Sequence, residues 1–493
     1  MARINTNIPS IIARNNLARS NNDLAVSLQR LSTGMRINRG ADDPAGLIVS
    51  ERLRSEMAGI NQAIDNSERA SSVIATTEGY LAEVADLLNS IKGLVVQAAN
   101  SGGVSREEVE ANQLEIDSAI ESITRISNTA SFAGLQLLNG NLEYTTSGLD
   151  SGDIAGALVK GATFGSNANL AVNVEVVESA QTGFLFLDGN ANGMNGALNS
   201  SVTVEIAGNL GVQSLSFISG TALSAMVAAV NTLRDTTGVS ASMVDPADQT
   251  SGMVFNSTEF GSDEFVSVRK IGSGGADFLT YDAAGGNETQ RDEGRDVKAV
   301  VNGVLAVGNG LDVSLHTPAL SLELDLTQAF ATSTSGVTSA FQITGGGATF
   351  QLGPNISSTQ SYGIGIQSIS ATRIGGTTVD GVQHYLDSLT SGKDNALLSG
   401  NLSAASEVLD EAITEVSVLR GRLGAFERNT LQTNIASLQI GLENITASES
   451  KIRDTDFAAE TARLTRAQIL TQAGTSVLAT ANASASSVLA LLQ

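Results

Sequence analysis

The chain has 493 residues, of which 42% are apolar and 4% aromatic, and it contains 50 glycines and 5 prolines. This length suffices for about three domains, each able to bury a core. The absence of cysteine excludes disulfides and cysteine-ligated zinc, the two well-separated histidines exclude a histidine cluster, and the net charge of −23 argues against nucleic acid or an anionic membrane as the main partner.

The charge is unevenly distributed. Residues 141–390 carry 8 basic and 24 acidic side chains, a net charge of −16, whereas the first 40 residues carry six arginines and one acid. The N-terminus has no apolar signal region, and no run of about 18 apolar residues occurs. We therefore expect a soluble chain that lacks a cleavable secretory signal.

The first segment repeats in sevens, which favours a coiled-coil seam over an ordinary amphipathic helix. Its heptad positions are Ile4, Ile8, Ile11, Asn15, Ala18, Asn22 and Ala25, and a second apolar stripe holds Leu24, Leu28 and Leu31. Both stripes predict an assembly surface.

The stretch RLSTGMRINRGADDPAGLIVSERLR (30–54) could be a phosphate loop, an acidic metal site or a joint between helices. Asp42 and Asp43 would repel phosphate, and no lysine follows a glycine loop. An acid before Pro44 is instead a good helix start, and the serine–threonine–glycine run at 32–34 ends the preceding helix. The sequence favours a joint, in which Arg30, Arg36 and Arg39 against the two acids would suit contacts between subunits.

Three further helices are predicted. One runs over 45–100 and would span roughly 80 Å. Its apolar face holds Leu53, Met57, Ile60 and Ile64 and is extended by Ile74, Leu81, Val84, Leu88, Ile91 and Val95. A capping box of Ser105 and Glu108 starts the next, and 402–450 forms the third. Together they predict a rod built from both chain ends.

The middle alternates apolar and polar residues between glycine turns at 202–220 and 296–326, which predicts strands, whereas 222–244 predicts one helix followed by a strand. The fold class is thus α+β: a long helical coiled-coil rod built from both chain ends, with a mostly β insertion in the middle. We expect this insertion to form two subdomains. The last segment returns to heptads, at Ala467, Thr471, Gly474, Leu478, Ala481, Ala485, Val488 and Leu492.

Both chain ends therefore carry helices with unfinished apolar faces. They can pair with each other, with copies from other chains, or both. Such faces are a liability in a monomer and are explained if association completes them, and a head-to-tail contact that does not close generates a helical filament.

Other candidate sites are weak. Asp188, Asn190, Asn192 and Gly193 begin like a calcium loop, but position 12 is Asn199 rather than glutamate, so a solvated turn is favoured. The acids of 285–296 lie beside two arginines, which neutralise them. We expect no metal, no cofactor and no catalytic residues, hence no enzyme.

Several motifs resemble the bacterial flagellins and occur in that family's order: RINTNI (3–8), the stretch 30–54, SFAGLQLLNG (131–140), LRGRLGAFERN (419–429), ASESKIRDTDFAAETARLTRAQIL (447–470) and SSVLALLQ (486–493). The resemblance covers about 140 residues at one end and about 100 at the other. Residues 217–242 also resemble a small insertion motif of flagellin middle domains. The rest of the middle is the part that varies within the family.

The resemblance implies a structural subunit of the flagellar filament that serves motility, with a hook–filament junction protein of the same architecture as the alternative. Residues 1–45 and 457–493 would form an inner coiled-coil domain, 46–145 and 390–456 a helical rod, and 146–389 the variable outer part. The protein would be extracellular and exported by the flagellar type III apparatus. Its partners would be its own copies, a cap protein, hook-associated junction proteins and an export chaperone.

The resemblance also implies recognition by host innate immune receptors. The segment 29–50 is similar to the flagellin region read by plant receptors, through Arg30, Ser32, Gly34, Arg36, Ile37, Asn38, Asp42 and Asp43 together with Leu31, Gly46 and Leu47, whereas Arg39, Ala41 and Pro44 depart from the pattern. The segment 87–100 is similar to the region read by the animal receptor, with Leu94, Gln97 and Glu115 in place. Ser90 and Gly93 stand where stimulatory members have an arginine and an acid.

Overall fold

The computed structural model describes residues 6–100, 102–165, 167–190, 194–275, 278–333, 336–379 and 382–490, with the backbone alone over 484–490. The described α-helices are α1 (Ile8–Thr33), α2 (Pro44–Ala99), α3 (Arg106–Thr129), α4 (Leu223–Thr232), α5 (Arg234–Thr237), α6 (Gln328–Ala331), α7 (Leu402–Phe426), α8 (Thr433–Arg453) and α9 (Phe457–Ala490). A π-helical stretch, Glu427–Gln432, joins α7 to α8, so the helix predicted over 402–450 is confirmed as one continuous run.

The described strands are β1 (Ser131–Phe132), β2 (Leu135–Gln136), β3 (Tyr144–Ser147), β4 (Ile154–Ala162), β5 (Leu170–Glu178), β6 (Phe184–Leu187), β7 (Val202–Ala207), β8 (Val212–Phe217), β9 (Val239–Met243), β10 (Met253–Ser257), β11 (Phe265–Ile271), β12 (Thr280–Tyr281), β13 (Arg291–Glu293), β14 (Lys298–Val301), β15 (Val304–Leu305), β16 (Val307–Asn309), β17 (Asp312–His316), β18 (Leu320–Leu326), β19 (Val337–Gly346), β20 (Ala348–Gln351), β21 (Ser361–Ile364), β22 (Thr377–Val379) and β23 (Val382–His384).

The chain divides into two compact units. The first comprises Met1–Ile74, Gln351–Ile356 and Leu423–Gln493, and the second Ala75–Phe350 and Ser357–Arg422. Both chain ends therefore belong to the first unit, and the β-rich middle belongs to the second. The predicted fold class, helices from both ends around a β-rich middle, is confirmed.

In the first unit, α2 and α8 are joined by polar contacts along their length. Ser50 donates to Glu449 at 3.1 Å, Arg453 reaches Glu51 at 3.0 Å, and the Asn434 amide donates to the Ser67 hydroxyl at 3.2 Å. These bonds fix the register of one helix against the other.

In the second unit, the buried face of α2 follows a strict heptad through Leu81, Val84, Leu88, Ile91 and Val95. This is the face that the sequence predicts, and the repeat of seven suits helices that wrap around each other. The Ser105–Glu108 capping box that starts α3 is present in both directions, with Glu108 receiving the Ser105 amide proton at 2.7 Å.

The β-rich middle contains two hydrophobic cores. One lies between the sheets β15-β14-β5-β19-β3 and β16-β17-β18-β4, and the other between β12-β6-β10-β9 and β13-β11-β7-β8, where α4 also packs. The predicted strands at 202–220 and the helix-then-strand at 222–244 are confirmed as β7, β8, α4 and β9.

Candidate assembly surface

The two chain ends pair with each other within the chain: α1 packs along α9. On both helices the side chains that turn away from solvent recur at alternating steps of three and four, which defines a coiled-coil seam. The seam positions are Ser10, Ala13, Leu17, Ser20, Leu24, Ser27 and Leu31 on α1, and Glu460, Leu464, Ala467, Thr471, Gly474, Leu478 and Ala481 on α9.

The predicted heptad positions of α9 from Ala467 to Ala481 lie in this seam, and the role of Leu478 in assembly stays a prediction. The side chains of Ala485 and Val488, and the whole of Leu492, lie outside the part of the chain that is described. Only small residues permit the closest approach: a Cβ at Gly474 would lie 3.2 Å from Leu17 Cδ1.

The seam of α1 follows a different register from the first stripe predicted there. Ile8 and Ile11 are 49% and 48% exposed, and the other described members of that stripe also face solvent. Leu24 and Leu31 of the second stripe lie in the seam, whereas Leu28 is exposed; Ile4 lies outside the described residues. The strongest apolar stripe therefore points away from α9.

Polar contacts anchor the seam at both ends. Ser27 and Glu460 are both buried, and the serine hydroxyl donates to Glu460 Oε1 at 2.6 Å. The other carboxylate oxygen lies 3.2 Å from Arg463 and 3.8 Å from Arg30. At the far end, the Asn7 amide donates to the Ala481 carbonyl at 2.9 Å.

The joint between α1 and α2, residues 34–43, lies against the start of α9. Gly34 ends α1 with φ of 72°, a left-handed conformation that suits glycine. Its carbonyl accepts the Thr455 amide at 2.9 Å, and the Arg36 amide donates to the Arg453 carbonyl at 2.7 Å. This stretch therefore joins α1 to α2 and is held to the residues between α8 and α9.

The two acids of the joint have separate tasks. Asp42 accepts the amides of Arg39 at 2.9 Å and Asn38 at 3.0 Å, and these backbone bonds lower the pKa of its carboxyl. Asp43 caps α2 by accepting the Gly46 amide at 2.9 Å. Ile37 is buried beside Gly46, where any Cβ would lie 2.8 Å from the isoleucine.

The arginines of the joint are likewise engaged within the chain. Arg36 donates to the Ile452 carbonyl, Arg39 to the Gln29 side chain at 3.1 Å, and Arg30 approaches Glu460. Ser32 is exposed and Asn38 half-buried. Contacts of these groups with neighbouring subunits remain a prediction.

Large apolar side chains stay exposed on both paired helices. On α1 they are Ile8, Ile11, Ile12, Val26 and Leu28, and on α9 they are Phe457, Ile469, Leu470 and Val477. Exposed apolar side chains on helices that already pair with each other are candidates for an association surface. The pairing of α1 with α9 thus leaves apolar faces on both helices uncovered within the chain.

The animal-receptor-like residues lie on α2 and α3. Ser90, Gly93 and Gln97 are exposed, Leu94 is half-buried, and Glu115 is exposed on α3. A Cβ at Gly93 would meet no atom within 4 Å. A side chain at Gly93 would therefore begin in open space.

The second unit also contains an acidic cleft that the sequence pattern did not identify. It has a volume of about 550 Å³ and lies between β4, β18 and α7. Burial, then Glu411, raises the pKa of Glu415 to about 7, and burial, then Asp325, raises that of Asp312 to about 6. Lys160 pairs with Glu323 at its wall.

The described residues hold no group of three or more acidic or histidine side chains placed to bind a metal ion. Asp188 accepts the Asn190 amide at 2.9 Å in a tight turn, while Asn192 and Gly193 of the calcium-like loop lie outside the described part. None of the described helices is long and apolar enough to cross a membrane.

Comparison with known proteins gives three family matches. A bacterial flagellin N-terminal helical region matches residues 4–143, the corresponding C-terminal helical region matches 406–492, and the flagellin hook IN motif matches 203–259. The last confirms the resemblance of 217–242 to a middle-domain motif.

Full-length relatives agree. The B-type flagellin of Pseudomonas aeruginosa is 30% identical over 99% of both chains. Flagellin B of Helicobacter pylori is 27% identical over 100% of this chain and 99% of its own, and the flagellin of Salmonella choleraesuis is 28% identical over 99% of both. The similarity therefore includes the middle as well as the helical ends.

Proposed function

The chain belongs to the bacterial flagellin family and is a structural subunit of the extracellular flagellar filament, and we propose that the exposed faces of α1 and α9 are the surfaces through which it polymerises. The observation that carries this proposal is the exposure of Ile11 and Val477, at 48% and 57%, on helices already paired with each other. Copies of the same pair would cover both faces.

A contact of this kind is heterologous, since the surface of α1 differs from that of α9. A heterologous contact that does not close on itself produces a helical, head-to-tail polymer. In such a polymer residues 1–45 and 457–493 form the inner layer, 46–145 and 390–456 the rod around it, and 146–389 the outer part. The acidity of the middle, with a net charge of −16, suits an outward, solvated position.

The remaining partners follow from the same surfaces. An export chaperone would cover the apolar faces of the C-terminal helix before type III export, because such faces otherwise promote aggregation. The cap protein at the tip and the hook-associated junction proteins at the base would engage them in place of a neighbouring copy. Similarity over the full length to proteins named flagellin supports the filament role over that of a junction protein.

Host receptors are the other proposed partners. The segment 29–50 combines exposed Ser32 and Arg36 with buried Ile37, so a receptor would read it most fully as a peptide freed from the fold. The open face of Ser90, Gly93 and Gln97 could be read on the folded subunit, although it lacks the arginine and acid of stimulatory members.

The test is a pair of single substitutions in the full chain, Ile11→Asp and Val477→Asp. Each places a charge on an exposed face and leaves the α1–α9 seam intact, so the subunit should fold but lose polymerisation. Val244→Asp is the matched control, because Val244 is exposed to a similar degree in the β-rich middle. Deletion of 1–30 or 465–493 should have the same effect.

Polymerisation is measured by the critical concentration for seeded growth and by electron microscopy of the product. Filaments formed by both aspartate variants at the critical concentration of the wild type would refute the proposed role of these faces.

A further inference from the structure

Strand β8 ends its sheet with an unusually neutral edge. It pairs with β7 on one side, and no described strand lies on the other. The run from Ile206 to Leu233, which contains β8, has no charged residue. Val212 begins the strand and Ile218 follows its last residue, and they are 58% and 74% exposed.

A second neutral edge lies in the other β core. The continuous segment 304–309 supplies β15 to one sheet and β16 to the other, and each is the last strand in the order of its sheet. Strand β16 also contacts β14, so the open part of this edge is β15. The crossing between the sheets depends on Gly308, where a Cβ would lie 1.8 Å from the Val297 carbonyl oxygen. Leu305 and Val307 are 63% and 70% exposed, and no charge occurs from Ala299 to Leu311.

Some other described sheet ends carry charge or are covered, and α5 also contacts the start of β8, beside Gly211. Strand β13 consists of Arg291, Asp292 and Glu293, α4 packs against β9, and β21 lies against β4. Proteins guard strand edges with charge or cover because an open apolar edge pairs with other chains. An edge left neutral in a chain that polymerises is therefore a candidate contact between copies.

Charge makes these edges the favourable places for such contact. The middle carries a net charge of −16, so two middles brought close repel each other over most of their surface. Contact between neutral edges avoids this repulsion, and burial of their apolar side chains is favourable. Moreover, the two edges differ, as the two halves of a non-closing contact must.

We propose that the middles of neighbouring subunits contact each other by pairing the β8 edge of one copy with the 304–309 edge of the next. The occupant of each edge is thus a second copy of this chain. The proposal rests on the filament role and adds a contact between outer parts to the one formed by the terminal helices.

The absence of native cysteine permits a direct test in assembled filaments. Strands that pair bring their Cα atoms to about 4.5–5.5 Å, within the range that a disulfide spans. Filaments are made from Val212→Cys, from Leu305→Cys, from an equal mixture of the two, and from the double variant, then treated with an oxidant or a short bismaleimide. The double variant Val212→Cys/Ala284→Cys is the control.

The mixture should give dimers and the Val212→Cys/Leu305→Cys double variant a ladder of multimers, whereas each single variant and the control stay monomeric. Filaments are verified by electron microscopy before cross-linking. Verified filaments without dimers in the mixture would overturn the pairing, and self-linked single variants would show a symmetric contact instead. Absence of filaments from the wild-type protein would contradict the filament role itself.

A second measurement does not depend on strand register. Val212→Lys and Leu305→Lys each place a charge on one edge and should lower the temperature at which filaments dissociate. Ile271→Lys is the control, because Ile271 is 44% exposed but ends the interior strand β11. If a lysine variant folds but does not polymerise while Ile271→Lys does, the result supports the contact. If the filaments of both lysine variants dissociate at the temperature of the wild type, the contact is refuted.

Discussion

Ser27 and Glu460, 433 positions apart in the chain, meet in the α1–α9 seam with the serine hydroxyl 2.6 Å from the carboxylate. The carboxylate is buried, and its second oxygen lies beside Arg463 and Arg30. A buried charge of this kind is tolerated only while its partners are present. The hydrogen bond between Ser27 and Glu460 therefore forms only when α1 and α9 are paired.

We expect Glu460→Ala to weaken the seam by about 1–3 kcal/mol, since it leaves the buried Ser27 hydroxyl and a half-buried arginine without their acceptor. Ser27→Ala should cost less. The measurement is the dissociation temperature of filaments and the rate of proteolysis of the chain ends. Glu443→Ala, at an exposed position of α8, is the control; equal behaviour of Glu460→Ala and this control would contradict the expectation.

Gly474 sets the distance between α1 and α9. Gly474→Ala adds a Cβ at 3.2 Å from the flexible end of Leu17, and the gain in helix propensity of about 1 kcal/mol offsets that contact, so this variant should polymerise. Gly474→Ile should separate the helices and prevent polymerisation. The same change at Gly441, where a Cβ meets nothing within 4 Å, is the control. Normal filaments from Gly474→Ile would show that the close approach is dispensable.

The acidic cleft predicts a pH dependence of the second unit. Burial, then Glu411, raises the pKa of Glu415 from 4.5 to about 7, so the folded state holds this proton more tightly than the unfolded state. The free energy of unfolding should therefore decrease as the pH rises from about 4.5 to about 7. Above that range the whole of this decrease is present.

Glu415→Gln removes the titrating carboxyl and with it this loss of stability at high pH. It should raise the melting temperature at pH 8 and change it little at pH 4.5, as measured by calorimetry. Glu407→Gln, at an exposed position on the same helix, is the control. A melting temperature of Glu415→Gln that follows the wild type at both pH values would count against the raised pKa.

Receptor recognition gives a further prediction. Because Ser90 and Gly93 are exposed and a Cβ at Gly93 meets no neighbour, Ser90→Arg/Gly93→Glu should fold normally. We expect weak activation of the animal receptor by the wild-type monomer and a gain in the double variant, since only arginine offers a planar fork of donors. The measurement is a dose–response on receptor-bearing cells, with Ser90→Ala/Gly93→Ala as the control.

A peptide of residues 29–50 should be detected by plant cells, and a scrambled peptide should not. High potency of the wild-type monomer on the animal receptor, without gain in the double variant, would show that these two positions do not determine recognition.

The long helices could be predicted from sequence because their repeats are strong: the buried face of α2 and the seam of α9 lie where the heptads place them. The seam of α1 could not. The seam positions of α1 are occupied by serine, alanine and leucine, while the isoleucines of α1 face solvent. Apolar repeats mark every surface that is buried at any stage, and they do not distinguish contacts within a subunit from contacts between subunits.

The acidic cleft and the sheet edges could not be predicted from the sequence for another reason. Glu415 lies on α7, whereas Glu323 and Asp325 lie on β18, far earlier in the chain. Strand order likewise joins β5 to β14 and β19 across long stretches of chain. Alternation identifies a strand and its inward face, but the choice of neighbour depends on tertiary packing.

The residues of the α1–α9 seam are far apart in the chain, so we expect the seam to form late in folding. Asn7 at one end of the seam contacts Ala481, 474 positions later, so this is among the described contacts of greatest sequence separation. Contacts of that kind form slowly because the entropy of loop closure opposes them until the segments between are folded. The two ends should thus be the last elements to order, and a subunit that arrives unfolded would complete its middle before it locks into place.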